Sequence, residues 1–397
     1  MEKNDIVVDG ASYTLQGIGN GTGIYLRKRT NVTIQNIAIK NFTNGIYLKG
    51  SFTQKAINNK ILGNNVTDNT VGILLDSSRY NVLRNNRMSN NTYNFKALGD
   101  ELAVEASDFI NDVDTSNTVD GKPIYYLVNQ SNVVISPSTF PDLGFLVLVE
   151  CTNMAVQNLE LVNKGQGLIL AYTTNSLVIR NKIAHNSYWG IVIADSHNNS
   201  IIENYIIDNV VGIELNDNSG NNIISGNNIT NHALGVGLNP ASNNTIFANS
   251  ITNSVSGISL MGSPNNSIIE NTIMSNEKGI DFFSSSNNSI YYNSFINNTK
   301  EVYDQIWIQP WYPQLLSVNT WDNGTTGNHW SDYNGTDNNG DGIGDTPYVI
   351  DQNNQDNYPL MAPNIIPEFP SWIILPLFLT FTLFVIAFKK KLLRSIS

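Results

Sequence analysis

The chain has 397 residues, of which 14% are charged, and a net charge of −11. An acidic, charge-poor chain without a basic stripe is not expected to bind nucleic acid. The single cysteine, Cys151, excludes an intrachain disulfide and a site of several thiolates. Its apolar surroundings, LVLVECTN, predict a buried and inert thiol.

Residues 1–94 contain a repeated apolar segment that opens with glycine. It occurs as GIYL at Gly23, GIYL at Gly45 and GILL at Gly72, with Asn94 at the next register position. Candidate members of an asparagine ladder are Asn36, Asn59 and Asn86. We interpret 1–94 as the N-terminal coils of a solenoid. Because no apolar run follows the first lysine, we expect an upstream portion with an export signal to precede this start.

Residues 95–166 disturb the period. The acidic stretch DELAVEASDFINDVDTSNTVDG shows no clear alternation, GKPIYYLVNQSNVVI is typical of a short hairpin, and GFLVLVECTN returns to the register. Two roles fit such an excursion: the wall of a binding groove, or a lateral decoration without a ligand.

Residues 167–300 are the most regular part of the chain. Segments recur every 22 or 23 residues, beginning at Gly167, Gly190, Gly212, Gly235, Gly257 and Gly279. An asparagine recurs in the same register at Asn181, Asn204, Asn227, Asn249, Asn271 and Asn293. So short a period leaves room for about three short strands per turn, and parallel crossovers are right-handed. We therefore predict an all-β, right-handed parallel β-helix with coils of about 22 residues, in which the asparagine amides bond to one another along the stack.

Residues 301–363 are rich in aromatic side chains. The tryptophans of this segment are Trp307, Trp311, Trp321 and Trp330. Solenoids need end caps, so we expect these rings to cover the open end of the helix rather than to stack on sugars.

The cap contains DNNGDGIGD, residues 337–345, which is similar to a calcium-binding loop. The candidate ligands are Asp337, Asn339, Asp341, Ile343 and Asp345. An EF-hand would need glutamate at the twelfth position, where Tyr348 stands, and flanking helices. Oxygen ligands at alternate positions favour Ca²⁺ over transition metals. We predict a structural Ca²⁺ here; the alternative is a solvated turn.

The C-terminal end resembles a membrane anchor. A linker, 364–371, precedes WIILPLFLTFTLFVIAF, residues 372–388, which has no charged side chain, and a basic tail, 389–397. At about 1.5 Å per residue this segment reaches about 26 Å, enough for a thin bilayer. The lysines that follow it indicate a cytoplasmic C-terminus and an external solenoid. We therefore expect a single-pass protein of the cell surface, with glycosylation sequons such as Asn31-Val32-Thr33 outside.

The candidate catalytic residues are Asp195, Asp217 and Glu214. Asp195 and Asp217 each lie five residues after the glycine of their coil, so they should stack about 4.8 Å apart. Such a pair suits a retaining glycosidase, and Glu214 should point outward from the same sheet. Candidate sugar platforms on neighbouring rungs are Tyr172, Tyr188 and Trp189. The alternative, which we favour, is that these acids are turn residues beside a solvated sheet.

Three parts of the sequence resemble a known family. The repeats GIxL…NNSIxxNxIxxN, the insert DTSNTVDGKPIYYLVNQ and the ending NHWSDYNGTDNNGDGIGDTPYVIDQNNQDNYPL resemble NosD-like β-helix proteins, part of a wider group of carbohydrate-binding and sugar-hydrolase β-helices. The segment IIPEFPSWIILPLF is similar to the PEF-type anchors of archaeal surface proteins. The resemblance implies a right-handed β-helix at the cell surface.

The family's name-giving role is that of a periplasmic, copper-linked maturation factor for nitrous oxide reductase. Copper sites need clustered His, Met or Cys side chains. The four histidines of this chain lie on different coils, at His185, His197, His232 and His329. The ligand inventory therefore argues against copper.

The sequence thus predicts a surface-anchored, non-catalytic β-helix that binds or displays carbohydrate or contributes to the cell envelope. Its expected partners are an extracellular polysaccharide or envelope glycan and, through 372–388, the lipid bilayer. The first alternative is a glycoside hydrolase; a polysaccharide lyase is less favoured because the repeats 190–300 contain only Lys278 and Lys300 as cations. The second alternative is a copper-binding maturation factor.

Overall fold

The computed structural model describes residues 3–99, 105–162, 165–308 and 316–364. It is an all-β parallel solenoid of the right-handed type with about 13 turns, which confirms the predicted fold. The transmembrane segment predicted at 372–388 lies outside the described residues, as does the basic tail 389–397. Within the described ranges, no helix is both long enough and apolar enough to cross a bilayer.

The N-terminal half consists of strands β1 to β16. Their bounds are β1 (Val7–Asp9), β2 (Thr14–Gln16), β3 (Thr22–Arg27), β4 (Thr33–Gln35), β5 (Ala38–Lys40), β6 (Asn44–Lys49), β7 (Ala56–Ile57), β8 (Lys60–Leu62), β9 (Asn65–Thr67), β10 (Val71–Asp76), β11 (Ser78–Arg79), β12 (Val82–Arg84), β13 (Arg87–Ser89), β14 (Tyr93–Leu98), β15 (Asp112–Val113) and β16 (Thr118–Val119). A 3₁₀ helix, Ala106–Phe109, lies between β14 and β15. The parallel sheets have the orders β1-β4-β8-β12-β15, β2-β5-β9-β13-β16 and β3-β6-β10-β14.

The C-terminal half consists of strands β17 to β40. Their bounds are β17 (Lys122–Val128), β18 (Val134–Ile135), β19 (Phe145–Val149), β20 (Ala155–Gln157), β21 (Glu160–Val162), β22 (Leu168–Ala171), β23 (Leu177–Ile179), β24 (Lys182–Ala184), β25 (Trp189–Ala194), β26 (Ser200–Ile202), β27 (Tyr205–Ile207), β28 (Val211–Gly220), β29 (Ile223–Ser225), β30 (Asn228–Thr230), β31 (Leu234–Ser242), β32 (Thr245–Phe247), β33 (Ser250–Thr252), β34 (Ser256–Met261), β35 (Ser267–Ile269), β36 (Thr272–Met274), β37 (Lys278–Phe283), β38 (Ser289–Tyr291), β39 (Ser294–Ile296) and β40 (Lys300–Asp304). A second 3₁₀ helix, Gln305–Ile308, follows. The cap adds β41 (His329–Trp330), β42 (Tyr348–Asp351) and β43 (Asn354–Asp356).

Most strands of the coils place one or more apolar side chains in the core. In one turn of the C-terminal half, Ile224, Ile229 and Val236 are fully buried, while their neighbours in the short strands β29 and β30 point away from the core. Successive side chains of a strand alternate between its two faces, and β-branched residues suit a pleated, half-buried surface. The short apolar runs of the repeat therefore become strands on the three sides of the solenoid.

The predicted asparagine ladder is confirmed in the C-terminal half. Asn204 Nδ2 donates to Asn227 Oδ1 at 3.0 Å, and Asn227 Nδ2 donates to Asn249 Oδ1 at 2.9 Å. Asn227 Nδ2 also donates to the carbonyl of Ile201 at 2.8 Å. The same bonds run from Asn181 to Asn293. A buried amide is costly unless it is hydrogen-bonded, and here each amide is bonded by its copies on the neighbouring turns.

The ladder predicted for the N-terminal half is wrong in its membership. Asn59 bonds to Asn81 and Asn64 bonds to Asn86, so Asn59 and Asn86 belong to two different ladders. Asn36 has a φ of 51°, and its amide faces the carboxylate of Asp9 instead. Each turn carries asparagines at more than one corner, and spacing alone does not show which corner an asparagine occupies.

The two halves are joined by an antiparallel hairpin. Val119 of β16 lies opposite Lys122 of β17, and β17 then pairs in parallel with β19. The hairpin predicted within GKPIYYLVNQSNVVI is therefore placed differently, since Val134–Ile135 pairs in parallel with β20. The result is one sheet of 14 strands, from β2 to β40, which we call the long sheet.

Strand β19 is buried on both of its faces. Leu146 and Leu148 belong to the core of the C-terminal half, whereas Phe145 and Val147 belong to the core of the N-terminal half. The ring of Phe145 lies 5.7 Å from that of Phe95 in β14. The N-terminal half therefore packs against the first C-terminal strands of the long sheet, on their outer face. We use this term for the face that points away from the C-terminal core.

Two tryptophans cover the C-terminal end of the solenoid, as predicted. Trp330 stacks between Phe295 and Tyr348, with ring centroids 4.5 and 4.3 Å away. Trp321 is also buried and donates from Nε1 to Asn354 Oδ1 at 3.1 Å. Outside the described side chains are Trp307 and Trp311.

Replacing one ladder residue should destabilise the fold. We expect Asn227→Ala to lower the free energy of unfolding by about 2–4 kcal/mol, because buried partners on both sides lose a hydrogen bond worth about 1–3 kcal/mol each. Urea denaturation followed by circular dichroism measures the loss. The control is Asn239→Ala, an exposed residue of β31. An equal loss in both variants would contradict the ladder's role.

Candidate functional site

The outer face of the long sheet changes from apolar to polar along the C-terminal half. Where the N-terminal half covers it, Ile169 and Val192 are almost completely buried. On the next rung Glu214 lies opposite Val192, followed by Gly237 and Ser259. The polar surface therefore begins at the edge of the contact between the halves.

Asp195 and Asp217 lie one rung apart at the same corner of the solenoid. The backbone N of Asp195 donates to the carbonyl of Asn216 at 3.3 Å, and both acids have a positive φ, 41° and 54°. Burial, followed by the charges of Asp195 and Glu214, raises the pKa of Asp217 to about 6. Adjacent carboxylates disfavour ionisation of both groups at once. Asp217 can therefore hold a proton at mildly acidic pH.

Two side chains hold the Asp195 carboxylate. The hydroxyl of Tyr172 hydrogen-bonds with it, and burial followed by the Asp195 charge raises the pKa of Tyr172. Nε2 of His197 lies 3.2 Å from Asp195 Oδ1, while Nδ1 of the same ring accepts from the backbone N of Gly220 at 3.1 Å. Because Nδ1 is the acceptor, the proton of the neutral ring is on Nε2, which donates to Asp195. The carboxylate is thus fixed in one orientation.

Glu214 is held by a tryptophan. The indole Nε1 of Trp189 donates to the carboxylate, and burial raises the pKa of Glu214 despite this bond. The ring of Trp189 packs edge-on against Tyr188, with centroids 4.1 Å apart. The predicted sugar platforms therefore lie beside the predicted acids.

Lys96 reaches this place from the N-terminal half. Alternate residues of β14 face the N-terminal core, so the Lys96 side chain points outward. Its Nζ lies 4.7 Å from the ring centroid of Tyr93, 4.8 Å from Tyr188 and 5.8 Å from Trp189. Burial lowers the pKa of Lys96.

We call this assembly the corner site. Its members are Tyr93, Lys96, Tyr172, Tyr188, Trp189, Asp195, His197, Glu214 and Asp217. All of them are partly buried. The structure brings the predicted acids and aromatic residues together. However, Tyr172 hydrogen-bonds with Asp195, and the rings of Tyr188 and Trp189 face the ammonium group of Lys96.

Three members were missed from the sequence: Tyr93, Lys96 and His197. His197 follows Asp195 by two residues, a spacing that allows contact across a turn and could have been noticed. Tyr93 and Lys96 carry no such signal, because the contact between the halves depends on the hairpin at Val119 and Lys122.

Part of the predicted excursion packs against the N-terminal half. Asp108, in the 3₁₀ helix, forms a buried ion pair with Lys55, with 2.7 Å between Nζ and Oδ1. Phe109 of the same helix belongs to the N-terminal core, and Tyr172 packs against that core. The two roles predicted for the excursion, a groove wall or a lateral decoration, both stay predictions.

The predicted calcium ligands lie on an exposed loop of the cap. Both carboxylate oxygens of Asp337 accept from backbone N–H groups, Gly340 at 2.7 Å and Gly342 at 2.9 Å. Asp341 accepts from the backbone N of Ile343, and Asp345 accepts from that of Asn338. In the part of the chain that is described, no three His, Cys, Asp or Glu side chains are grouped as a metal site would require. The calcium site, including Asn339, stays a prediction.

Solved structures of other β-helix proteins are similar to this chain. A variant of the periplasmic alginate epimerase AlgG is 16% identical, over 79% of this chain and 67% of that one, with a TM-score of 0.37. The Azotobacter vinelandii mannuronan C-5 epimerase AlgE4 A-module is 15% identical, over 77% and 86%, with a TM-score of 0.42. The DFA-IIIase from Arthrobacter chlorophenolicus, in complex with DFA-III, is 10% identical, over 75% and 84%, with a TM-score of 0.39. No curated protein matches the chain.

A family model described as periplasmic copper-binding protein (NosD) matches residues 7–99, 101–254 and 212–335. The histidines do not fit copper: His197 is bonded to Asp195 and Gly220, and His232 is buried with Nδ1 bonded to Asn209. Copper requires several free soft or imidazole donors in one place. The match nevertheless covers most of the chain, and its repeats form the coils described above. The chain therefore belongs to the NosD family of parallel β-helix proteins.

Proposed function

We propose that the chain binds a polysaccharide at the corner site and along the outer face that follows it. The observation that supports this best is the meeting of partly buried carboxyl groups, Asp217 and Glu214, with the rings of Tyr188 and Trp189. Ligand sites combine apolar and aromatic walls with a few placed polar groups, and this combination suits a sugar ring with its hydroxyls.

The rungs beyond the corner site offer further hydrogen-bonding groups. Asn216 lies opposite Asn239, and Ser259 and Tyr303 lie two rungs apart in the same column. The rungs of a parallel sheet are about 4.8 Å apart. A polymer of sugars could therefore make similar bonds repeatedly along this face.

We also propose that this polysaccharide is extracellular or part of the cell envelope. The support comes from the sequence: the uncharged segment 372–388 and the lysines after it are typical of a single-pass anchor with the solenoid outside. In this proposal the chain binds or displays carbohydrate at the cell surface, and binding requires no catalysis.

Removal of one ring should weaken polysaccharide binding. For Trp189→Ala in the full-length protein we expect affinity to fall about tenfold, because the stacking surface and the donor to Glu214 are both lost. Isothermal titration against a polysaccharide panel measures the change. The control is Tyr205→Ala, an exposed tyrosine on another sheet of the solenoid. Unchanged binding by the Trp189 variant would contradict the proposed site.

Hydrolysis of a glycosidic bond is the second candidate function, favoured by the pairing of Asp195 with Asp217. Two carboxyl groups one rung apart are close to the separation of about 5–5.5 Å used by retaining enzymes. Asp217 would give its proton to the glycosidic oxygen while the Asp195 carboxylate attacks the anomeric carbon. Water would then release the sugar from Asp195 and return a proton to Asp217.

This candidate predicts a pH profile. Activity should fall as pH rises through about 6, where Asp217 loses the proton that it must donate. Asp217→Asn should abolish reducing-end release from the polysaccharide panel, whereas Asp208→Asn, with a similar positive φ of 53°, should not. Full activity in the Asp217 variant would contradict the assignment.

A stability measurement tests the same pKa without a substrate. The pKa of Asp217 is higher in the folded chain than its ordinary value of 3.8. Its contribution to stability is therefore fully present below 3.8 and is lost as pH rises through about 6. We expect the denaturation midpoint of Asp217→Asn to rise relative to the unsubstituted protein across this interval. A constant difference would contradict the raised pKa.

We propose, finally, that the loop 337–345 binds Ca²⁺. A Kd of about 10⁻⁴ M, typical of extracellular modules, would stabilise the fold by about 1.4 kcal/mol at about 1 mM Ca²⁺. Thermal denaturation should show this gain in the unsubstituted protein and in Glu203→Gln, on a distant coil, but not in Asp337→Asn. A gain that survives in Asp337→Asn would place the ion elsewhere.

A further inference from the structure

Among the residues that the structure describes, none accepts a hydrogen bond from the ammonium group of Lys96. A lysine ammonium carries three N–H donors. Its contacts in the described part of the chain are the rings of Tyr93, Tyr188 and Trp189, and no described oxygen accepts a hydrogen bond from Nζ. Aromatic rings stabilise the charge but leave the directional donors unmatched.

Two other sheltered lysines of the chain have carboxylate partners. Lys55 pairs with Asp108 at 2.7 Å, and Lys278 pairs with Asp281 at 3.1 Å. Lys96 is also partly buried. Its neighbour Trp189 donates a hydrogen bond to Glu214, so this carboxylate is already engaged by the indole. The corner site thus presents a positive group that no described carboxylate pairs with.

We propose that Lys96 receives an anionic group of a sugar, a carboxylate or a sulfate ester, next to the sugar that lies over Asp195 and Asp217. This inference rests on the proposed function and specifies its ligand: a polysaccharide that carries acidic units. The rings of Tyr188 and Trp189 border the same subsite and would pack against the apolar face of the acidic sugar.

The charge of the whole chain limits how acidic this polymer is. The net charge is −11, and Asp195, Glu214 and Asp217 stand close to the subsite. A densely charged polyanion is repelled by such a surface. In a polymer with one acidic unit among several neutral ones, the acidic unit would bind Lys96. The hydroxyls of the neutral units would bind the polar side chains of the rungs that follow.

The test compares matched oligosaccharides on the full-length protein by isothermal titration. The probes are a uronate-containing oligosaccharide, its carboxyl-reduced neutral form, and a sulfated one of equal length. We expect the unsubstituted protein to bind an acidic form about tenfold more tightly than the neutral form, since charge-assisted hydrogen bonds are the stronger ones. The form that shows the gain identifies the anionic group as carboxylate or sulfate.

Substitutions assign this gain to Lys96. Lys96→Met should remove the preference for the acidic form, whereas Lys96→Arg should keep that preference. Lys182→Met is the control, because Lys182 is exposed and paired with Glu160 on another sheet. Equal weakening of both forms by Lys96→Met would show a purely structural cation and overturn the inference.

The remaining outcomes separate the inference from the proposed function. If the neutral form binds as tightly as both acidic forms to the unsubstituted protein, the anionic subsite is wrong and polysaccharide binding stands. If no probe of any charge binds, the proposed function is wrong as well. Should Lys96→Met fail to fold, the comparison of probes on the unsubstituted protein and on Lys96→Arg still decides.

Discussion

The hydrogen bond between identical asparagines on neighbouring turns is the interaction on which this fold depends. A buried amide is tolerated in an apolar core only when its donors and its acceptor are bonded. The bond persists where the chain between two rungs is longer than usual. Asn81 bonds to Asn111 across the insertion that carries the 3₁₀ helix, with 2.9 Å between Nδ2 and Oδ1. Insertions are therefore accepted only where the chain can leave one corner and return to it in register.

The corner site results from the joint between the halves rather than from the repeat. A regular solenoid would leave the outer face of the long sheet open along its whole length. Here the hairpin of β16 and β17 turns the core of the N-terminal half against that face at Phe145 and Val147. At the edge of this contact, acids of the C-terminal half and Lys96 of the N-terminal half become partly buried together. Burial is the main cause of the pKa shifts of Glu214, Asp217 and Lys96, so the joint also sets the chemistry of the site.

Features that belong to the repeat can be predicted from the sequence, whereas features at the interruption of the repeat cannot. The fold, the ladder from Asn181 to Asn293 and the stacking of Asp195 on Asp217 follow from a period of 22 or 23 residues. The membership of the N-terminal ladder does not follow, because Asn36 and Asn59 look alike in spacing although their corners differ. Lys96 could not be placed, since strand pairing across residues 99–121 is decided by tertiary contacts.

Strand β19 has a consequence for the order in which the chain becomes structured. In a plain solenoid each turn can be added to the one before it as synthesis proceeds. Here the N-terminal core is closed by Phe145, Val147 and Ile169, which leave the ribosome well after β14 has been made. One side of the N-terminal core therefore stays exposed after the early coils have been made. It is covered only when the first turns of the C-terminal half have been synthesised.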